Sequence, residues 1–331
     1  MSLENLKHFP VMLEKLLSII TPQHGGTYID CTFGAGGYTK KILSFPNTEV
    51  LAIDRDPSSI YYAKPLKDKY KNRFKFYNKK FTALNSIIKT SSSYKAIVFD
   101  LGFSMMQMKD LSRGFSFNSS GPLDMRMGLN TFKAEKIINE LDQKKIEQIF
   151  KFFGEEKNSK RIAFEIINQR NKKKLNTQDL VKLINKVKRK KYNRINEATK
   201  CFQALRIIVN NEISELIYGL IEATKLLKPG GILLVVTFHS IEDKIVKHFF
   251  RFYSELKNYS RYIPDANTKK DVRLFNCPER KAIKASAKEI LLNPPSRSAK
   301  LRYAIRNDNN FFFPEDFIEK FKNYLDLEKV F

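Results

Sequence analysis

The chain has few cysteines and no long apolar segment. Its 331 residues include three cysteines, Cys31, Cys201 and Cys277, which lie far apart and form no Cys-x-x-Cys pair. This spacing indicates neither a disulfide framework nor a zinc cluster, and it favours a reducing compartment. No apolar run reaches the roughly 18 residues that a membrane span needs, and the first residues resemble neither a signal peptide nor a transit peptide. We therefore expect a soluble, cytoplasmic protein.

Acidic residues are scarce relative to basic ones. The chain has 60 lysines and arginines against 35 aspartates and glutamates, a formal net charge of +25. Such a charge attracts polyanions over long distances at low salt, so nucleic acid is the leading partner. A lysine-rich vocabulary set by genome base composition would give the same total, so the distribution of the charge matters more than its sum.

An apolar run near the start of the chain breaks into glycines. Residues 28–39 read Tyr-Ile-Asp-Cys-Thr-Phe-Gly-Ala-Gly-Gly-Tyr-Thr, a pattern that places backbone N–H groups and a helix start beside a ligand such as a nucleotide. Thr39 stands where the dinucleotide fingerprint needs its last glycine, which favours a cofactor without pyrophosphate. A second apolar run over 50–54 ends in Asp54, which is well placed to bind ribose hydroxyls. Together the two runs indicate an adenosine-containing cofactor.

Hydrophobic periodicity predicts an α/β fold. A helix over 9–20 precedes strands at 27–33, 50–54, 73–77 and 96–102, which alternate with helices at 38–44, 57–70 and about 82–89. This alternation is typical of a parallel sheet with crossover helices. Asp30, Asp54 and Asp100 end three of these strands, so we expect their carboxylates at the ligand-binding edge of the sheet.

The alternation stops after Asp100. Residues 133–200 read as helices without strands, so an inserted helical domain is the simplest interpretation. Within residues 170–206, 13 basic and two acidic residues give a net charge of +11. This segment, with Lys188, Arg189, Lys190 and Lys191 at its centre, suits a phosphate-binding surface, although a solvated helix face is the alternative. Arg297, Lys300 and Arg302 are the second choice for an RNA path.

The sheet pattern then resumes. We expect a long helix over 203–227, a strand at 232–238, a helix at 241–256 that Ser240 caps, a strand at 301–306 and an amphipathic tail over 311–331. His239, between the strand and its helix, is either a base or a packed side chain.

Several of these strings resemble a known family. The chain resembles the bacterial MraW-type methyltransferases over about residues 8–306, and the similar strings occur in the same order. They include Asp30-x-Thr-x-Gly-x-Gly-Gly37, Arg113-Gly-Phe-Ser-Phe117 and Gly121-Pro-Leu-Asp-Met-Arg-Met127. It implies N4 methylation of a cytidine in the decoding centre of 16S ribosomal RNA by S-adenosylmethionine. It also implies a Rossmann-like methyltransferase sheet in two parts, 1–104 and 201–307, with an inserted all-helical domain over 105–200 and a tail over 308–331.

The resemblance carries site residues onto this chain. It implies a cofactor loop of Gly36, Gly37 and Tyr38, a ribose carboxylate at Asp54, adenine neighbours at Phe81 and Asp100, and a further contact at Gln107. Family members usually have His at the position of Tyr38, and Ser-Ser-Pro-Gln where this chain has Ser104-Met-Met-Gln107.

Methyl transfer to an exocyclic amine is an in-line displacement that needs alignment and desolvation but no covalent nucleophile. The lone pair of cytosine N4 is delocalised into the ring, so a proton acceptor would help as the methyl group arrives. Asp100 is our candidate for this catalytic role, with pure cofactor binding as its alternative.

Two other functions remain open. One is an inactive RNA-binding assembly factor on the same fold, and the other is a Rossmann oxidoreductase, which Thr39 disfavours. Methylation of cytosine carbon 5 would need an attacking thiolate, and none of the three cysteines has the expected context. The expected partner is 16S ribosomal RNA within the small ribosomal subunit; the sequence leaves the oligomeric state open.

Overall fold

The computed structural model describes residues 10–88, 93–119, 121–188, 196–254 and 273–329. The chain divides into two compact units. The sheet unit comprises Met1–Gly102 and Ile217–Lys320, and the helical unit comprises Phe103–Leu216 and Phe321–Phe331. These units differ in extent from the segments inferred from sequence, because the helical unit reaches further along the chain and also contains the end of the tail. In the described ranges, no helix is both long and apolar enough to span a bilayer.

The sheet unit is built on one mixed sheet. Its strands are β1 (Gly26–Asp30), β2 (Thr48–Asp54), β3 (Phe74–Asn78), β4 (Tyr94–Asp100), β5 (Ile232–Thr237), β6 (Phe275–Asn276), β7 (Ile283–Lys284) and β8 (Lys300–Arg306). The order is β3-β2-β1-β4-β5-β8-β6, and β7 also pairs with β8. β1 to β5 are mutually parallel, whereas β8 is antiparallel to β5. This is the predicted Rossmann-like sheet.

The central strands are apolar throughout because both faces of the sheet are covered. Ile97, Val98 and Phe99 of β4 and Leu233 to Val236 of β5 are fully buried, as is usual for parallel strands between helix layers. The strand order reverses between β1 and β4, which leaves a crevice at their carboxyl ends, where open α/β sheets bind ligands.

The helices agree with the predicted alternation. In chain order they are α1 (Leu13–Ile20), α2 (Gly37–Leu43), α3 (Ser59–Tyr70), α4 (Leu84–Ile87), α5 (Met105–Lys109), α6 (Ala134–Glu140), α7 (Gln143–Phe152), α8 (Ser159–Arg170), α9 (Thr177–Lys188), α10 (Thr199–Asn210), α11 (Glu212–Leu226), α12 (Ser240–Ser254), α13 (Ala287–Leu292), α14 (Glu315–Lys320) and α15 (Lys322–Glu328).

The single long helix predicted over 203–227 was wrong. The chain forms α10 and α11, and Asn211 between them has φ 51°. Asparagine tolerates this left-handed conformation better than most residues, so it ends α10 without a glycine. Arg206 of α10 then donates to both carboxylate oxygens of Glu212, at 2.8 and 2.9 Å, across the break.

The helical unit holds one of the family-like strings in place through a buried amide. Asn210 accepts a 2.8 Å hydrogen bond from the Met127 N–H and donates to the Met125 carbonyl at 2.7 Å. Met125 has φ 59° and is buried, so this amide stabilises an unusual backbone. The segment Gly121 to Met127 is thus fixed against α10.

The end of the tail is part of the helical unit. Phe321 and Leu325 are buried, and the Tyr324 ring lies 5.8 Å from the Phe153 ring. The Glu328 carboxylate accepts hydrogen bonds from the Ile213 and Ser214 N–H groups, at 2.9 and 2.8 Å. These N–H groups lie in the first turn of α11 and have no partner within the helix, so α15 caps α11.

Glu328 makes the stability of this cap depend on pH. Burial raises the pKa of Glu328 to about 7, so the folded state holds the proton more tightly than the unfolded chain. Protonated Glu328 makes its full stabilising contribution to the folded state below the pKa of the unfolded chain, about 4.3. This contribution is lost as pH rises through the folded pKa. Relative to Glu328→Gln, which cannot titrate, the parent should lose roughly 3 kcal/mol of unfolding free energy between about pH 4 and 8.

Hydrogen exchange of the Ile213 and Ser214 amides, corrected for intrinsic rates, measures this free energy locally. Asp326→Asn is the matched control, because Asp326 is an exposed acid on the same helix. A difference between parent and Glu328→Gln that stays constant with pH would show that Glu328 does not hold the proton.

Candidate functional site

Three acids meet at the carboxyl edge of the sheet. Asp30, Asp54 and Asp100 are the last residues of β1, β2 and β4, which are adjacent in the sheet. Their carboxyl groups are close enough for Asp30 to raise the pKa of both Asp54 and Asp100. The structure therefore brings together the three strand-end acids identified in the sequence.

A glycine turn connects β1 to α2 beside these acids. Gly36 has φ 80°, and a Cβ there would lie 2.8 Å from the Phe33 ring, so both its backbone and its packing require glycine. Gly37 begins α2, and a Cβ there would meet Pro10 at 2.3 Å. Gly34, with φ 54°, has no atom within 4 Å of its Cβ position among the described residues. The turn is thus tightly packed at Gly36 and Gly37, and it leaves open space beside Gly34.

Asp54 is fixed by two backbone donors. Its Oδ2 accepts a 2.6 Å hydrogen bond from the Gly34 N–H, and its Oδ1 accepts a 2.8 Å hydrogen bond from the Asp56 N–H. Burial raises the pKa of Asp54 to about 6 in spite of these bonds. The carboxylate is therefore oriented beside the open glycine and retains lone pairs for a ligand, since each oxygen can accept more than one hydrogen bond.

Thr39 supports Asp30, a role that the sequence comparison with the dinucleotide fingerprint did not reveal. Its hydroxyl donates to Asp30 Oδ2 at 2.7 Å, and the Thr32 N–H approaches Oδ1 at 3.2 Å. Both Asp30 and Thr39 are buried, and burial raises the pKa of Asp30 to about 6. The hydroxyl thus gives a buried carboxylate a donor that glycine could not supply.

Asp100 has a free oxygen inside the site. Within the described ranges, its Oδ1 is buried without a hydrogen-bond partner, while its backbone N–H donates to Thr32 Oγ1 at 2.7 Å. Burial, followed by repulsion from Asp30, raises the pKa of Asp100 well above its usual range. An unpartnered buried oxygen is unusual in native proteins, so this atom retains the capacity to accept a hydrogen bond.

The Tyr38 side chain turns inward rather than toward solvent. It is buried in the core, and its hydroxyl has two acceptors within reach, the Val11 carbonyl and the Asp100 carboxylate. Burial and the neighbouring acids raise the pKa of Tyr38 well above its usual range, so the phenol stays protonated. Tyr38 therefore helps to hold Asp100 through its side chain, and only its backbone belongs to the turn.

His239 and Glu242 cap α12 beside the same edge. Glu242 Oε2 accepts from the Phe238 and His239 N–H groups, at 2.7 and 3.3 Å, and His239 Nδ1 accepts from the Glu242 N–H at 3.3 Å. The predicted cap at Ser240 was wrong, because Ser240 is the first residue of the helix. The buried Glu242 charge also raises the pKa of Asp100. The sequence showed Glu242 as a helix-start acid but not this effect.

Phe81 is held next to β4. Its ring meets the Phe99 ring edge-on, with centroids 5.3 Å apart. Gly219 of α11 permits this approach, because a Cβ there would lie 2.5 Å from the Phe81 ring. The ring is thus rigidly placed near the strand that ends in Asp100, and its role as an adenine neighbour stays a prediction.

Gln107 belongs to the helical unit. Its Oε1 accepts from the Ser104 N–H at 2.9 Å, Ser104 Oγ accepts from the Gln107 N–H, and its Nε2 approaches the Met127 carbonyl at 3.3 Å. This reciprocal capping box opens α5. Both the oxygen and the nitrogen of the Gln107 amide therefore form hydrogen bonds within the helical unit. The cofactor contact implied for Gln107 stays a prediction.

Most described cations of the basic segment at 170–206 have internal partners. Lys188 is 13% exposed and lies between Glu156 and Glu197, at 2.9 and 3.1 Å, so it is not a free phosphate-binding group. Three others form ion pairs: Lys173 with Asp179, Lys174 with Glu135, and Arg206 with Glu212. Two more donate hydrogen bonds to backbone carbonyls: Arg170 to those of Ile138 and Leu141, and Lys200 to that of Glu155. Arg189, Lys190, Lys191 and Arg194 lie outside the described residues. RNA binding by this segment stays a prediction.

Two of the three cations in the second predicted RNA path also form ion pairs. Lys300 and Arg302 each donate to Asp243, at 2.8 Å, while Arg297 is exposed. Asp243, in the first turn of α12, therefore pairs with both of these cations on β8.

The acidic edge fits the cofactor that the resemblance implies. S-adenosylmethionine is positively charged at sulfur and carries ribose hydroxyls, and this site offers buried carboxylates, an oriented acceptor at Asp54 and open space at Gly34. Burial and mutual repulsion raise the pKa values of these acids, and a cation bound among them would stabilise their ionised forms. The residues present therefore suit this ligand, with Asp54 and the backbone of the glycine turn to hold it.

Comparison with known proteins agrees with this chemistry. The sequence profile of the MraW methylase family matches residues 5–307. The chain is 44% identical over 303 residues to the "Ribosomal RNA small subunit methyltransferase H" of Bartonella bacilliformis, covering 91% of this chain and 90% of that one.

Two further relatives with the same name are similar over nearly their whole length. The protein of Ehrlichia canis is 41% identical over 90% of this chain and 99% of its own. That of Azorhizobium caulinodans is 39% identical over 91% and 88%. The fold, the acidic edge and these matches together show that the chain belongs to the MraW methylase family.

Proposed function

We propose that this chain methylates N4 of a cytidine in the decoding centre of 16S ribosomal RNA, in the cytoplasm, with the small ribosomal subunit as partner. The observation that carries the proposal is the unpartnered, buried Oδ1 of Asp100 within the acid cluster at the switch point of the sheet. The names of the relatives direct the substrate to small-subunit ribosomal RNA, and the family resemblance directs it to cytidine N4.

The sheet edge holds the methyl donor. When bound, S-adenosylmethionine supplies an electrophilic methyl group on a positively charged sulfur. Asp54 accepts hydrogen bonds from the ribose, because its carboxylate is already aimed beside the open Gly34. Gly36, Gly37 and Tyr38 supply the turn backbone, and Phe81 lies beside the adenine. The surrounding acids favour a bound positive charge.

Asp100 orients the amine and takes its proton. Oδ1 is the free atom, and Tyr38 and the Thr32 hydroxyl hold the rest of the residue in place. The raised pKa makes the carboxylate a stronger base than an ordinary aspartate. A positive ligand nearby favours its ionised form, so the base is ready when the donor is bound.

Two of the three cysteines are unsuited to methylation at carbon 5. Cys31 and Cys201 are buried, and burial raises the pKa of both thiols well above their usual range. A covalent route would require an attacking thiolate, which such thiols do not form readily. An exocyclic amine needs no such nucleophile.

Mass spectrometry of methylcytidines in small-subunit ribosomal RNA, from cells with and without the gene, tests the proposal. We expect one N4-methylcytidine to disappear and to return with the parent gene. An unchanged modification map would overturn the proposal. Calorimetry with S-adenosylmethionine separates an inactive assembly factor, because absent cofactor binding would favour that alternative.

Asp54→Ala should weaken cofactor binding. The substitution removes charge-assisted hydrogen bonds to the ribose, each worth about 1.5–3 kcal/mol, so affinity should fall roughly tenfold or more. Calorimetric titration gives the dissociation constant. Asp68→Ala is the matched control, since Asp68 is an exposed acid on α3; equal affinities for all three proteins would remove Asp54 from the ribose site.

Asp100→Asn should slow the chemical step. The change keeps the size of the side chain but removes the proton acceptor, so kcat should fall about 100-fold or more at saturating cofactor. Single-turnover methyl transfer, measured against cofactor concentration, distinguishes the roles. A loss that excess cofactor fully restores would make Asp100 a binding residue only.

A further inference from the structure

A second group of exposed cations in the helical unit lies outside the basic segment at 170–206. A groove of about 390 Å³ in the helical unit is lined by Gln143, Lys157, Asn158, Lys160, Arg161 and Phe164. Three of these six side chains are basic and none is acidic. We call this surface the basic groove.

The three cations of the basic groove have free head groups. Lys157, Lys160 and Arg161 are exposed, and within the described ranges none of them makes an ion pair or a side-chain hydrogen bond. The adjacent acid, Glu156, is buried and already bonded to Lys188 and to the Asn158 N–H. Among the described residues, no carboxylate lines the groove.

Phe164 adds an exposed ring to the lining of the basic groove. It is 50% exposed on α8, whereas Ile162, Ala163 and Ile166 of the same helix are fully buried. The core of the helical unit is thus complete without it. An exposed aromatic ring beside unpaired cations favours a ligand that has both a planar group and negative charge.

The segment that carries Lys157 is rigidly placed. Gly154 packs so tightly that a Cβ there would lie 2.6 Å from the Lys200 carbonyl oxygen. The Lys200 ammonium donates to the Glu155 carbonyl at 3.0 Å, and the Glu156 N–H donates to the Phe150 carbonyl at 3.1 Å. Little backbone conformational entropy is then lost when a ligand binds at this turn.

We propose that the basic groove binds an unpaired nucleotide segment of the substrate RNA, with a base stacked on Phe164 and backbone phosphates on Lys157, Lys160 and Arg161. The inference rests on the proposed function, which supplies RNA as the substrate. Single-stranded RNA suits the groove because every nucleotide joins a flat base to a phosphate. An acidic protein segment would match the charge but leave the ring without a stacking partner.

Two variants of the groove test this with a small-subunit ribosomal RNA transcript. Replacing Lys157, Lys160 and Arg161 by Gln should weaken RNA binding and lower the slope of log affinity against log salt by about two, because roughly 0.7 counterions are released per single-strand phosphate contact. Phe164→Ala should weaken binding about tenfold at every salt concentration without changing the slope, and Phe164→Tyr should restore it, since tyrosine also stacks.

The matched control removes three charges elsewhere in the same unit. Lys109, Lys136 and Lys151 are exposed and lie outside both the groove and the basic segment at 170–206, and their replacement by Gln should change affinity and slope much less. Cofactor affinity, measured by calorimetry, should match the parent in every variant and so show that each one folds.

The outcomes separate this inference from the proposed function. If the groove variants bind and methylate the RNA like the parent, or lose no more than the control, the groove is not an RNA site and the proposed function stands. If they methylate naked RNA normally but fail only on assembled subunits, the groove contacts a ribosomal protein and the RNA assignment is wrong. If the parent itself neither binds nor methylates the RNA, the proposed function fails first.

Discussion

The structure depends on keeping several carboxylates together at one edge of a buried sheet. Parallel strands end side by side, so Asp30, Asp54 and Asp100 meet where water is scarce, and Glu242 adds to the field at Asp100. Their mutual repulsion and loss of hydration destabilise the charged forms. The site therefore costs stability when empty, and a positively charged ligand removes that cost.

Donors around the cluster limit this strain without removing it. Thr39 and the backbone at Thr32 bind Asp30, and the N–H groups of Gly34 and Asp56 bind Asp54. Asp100 receives less, because its Oδ1 has no partner in the described part of the chain. Asp100 is therefore the least satisfied carboxylate of the three, and this difference supports the proton-accepting role that we propose for it.

The sheet was predictable because short apolar runs that end in Asp or Gly are typical of buried parallel strands. The break at Asn211 was not, since α10 and α11 are both strongly apolar and asparagine gives a weaker stop signal than glycine. The position of Asp30 at the edge followed from its strand, but its bond to Thr39 did not, because the sequence does not tell which hydroxyl faces which carboxylate. Nor did the inward turn of Tyr38, which depends on packing around Val11.

Charge illustrates the same limit most clearly. The sequence locates a net +11 at 170–206, but pairing depends on tertiary contacts, and Lys188 enters a buried gap between two glutamates. The shorter run at 157–161 attracts no notice by composition. Its cations are exposed, and the buried Glu156 beside them is bonded to Lys188 instead. One buried ion pair thus has two effects: it removes a cation from the basic segment at 170–206, and it binds an acid that is adjacent in sequence to the basic groove.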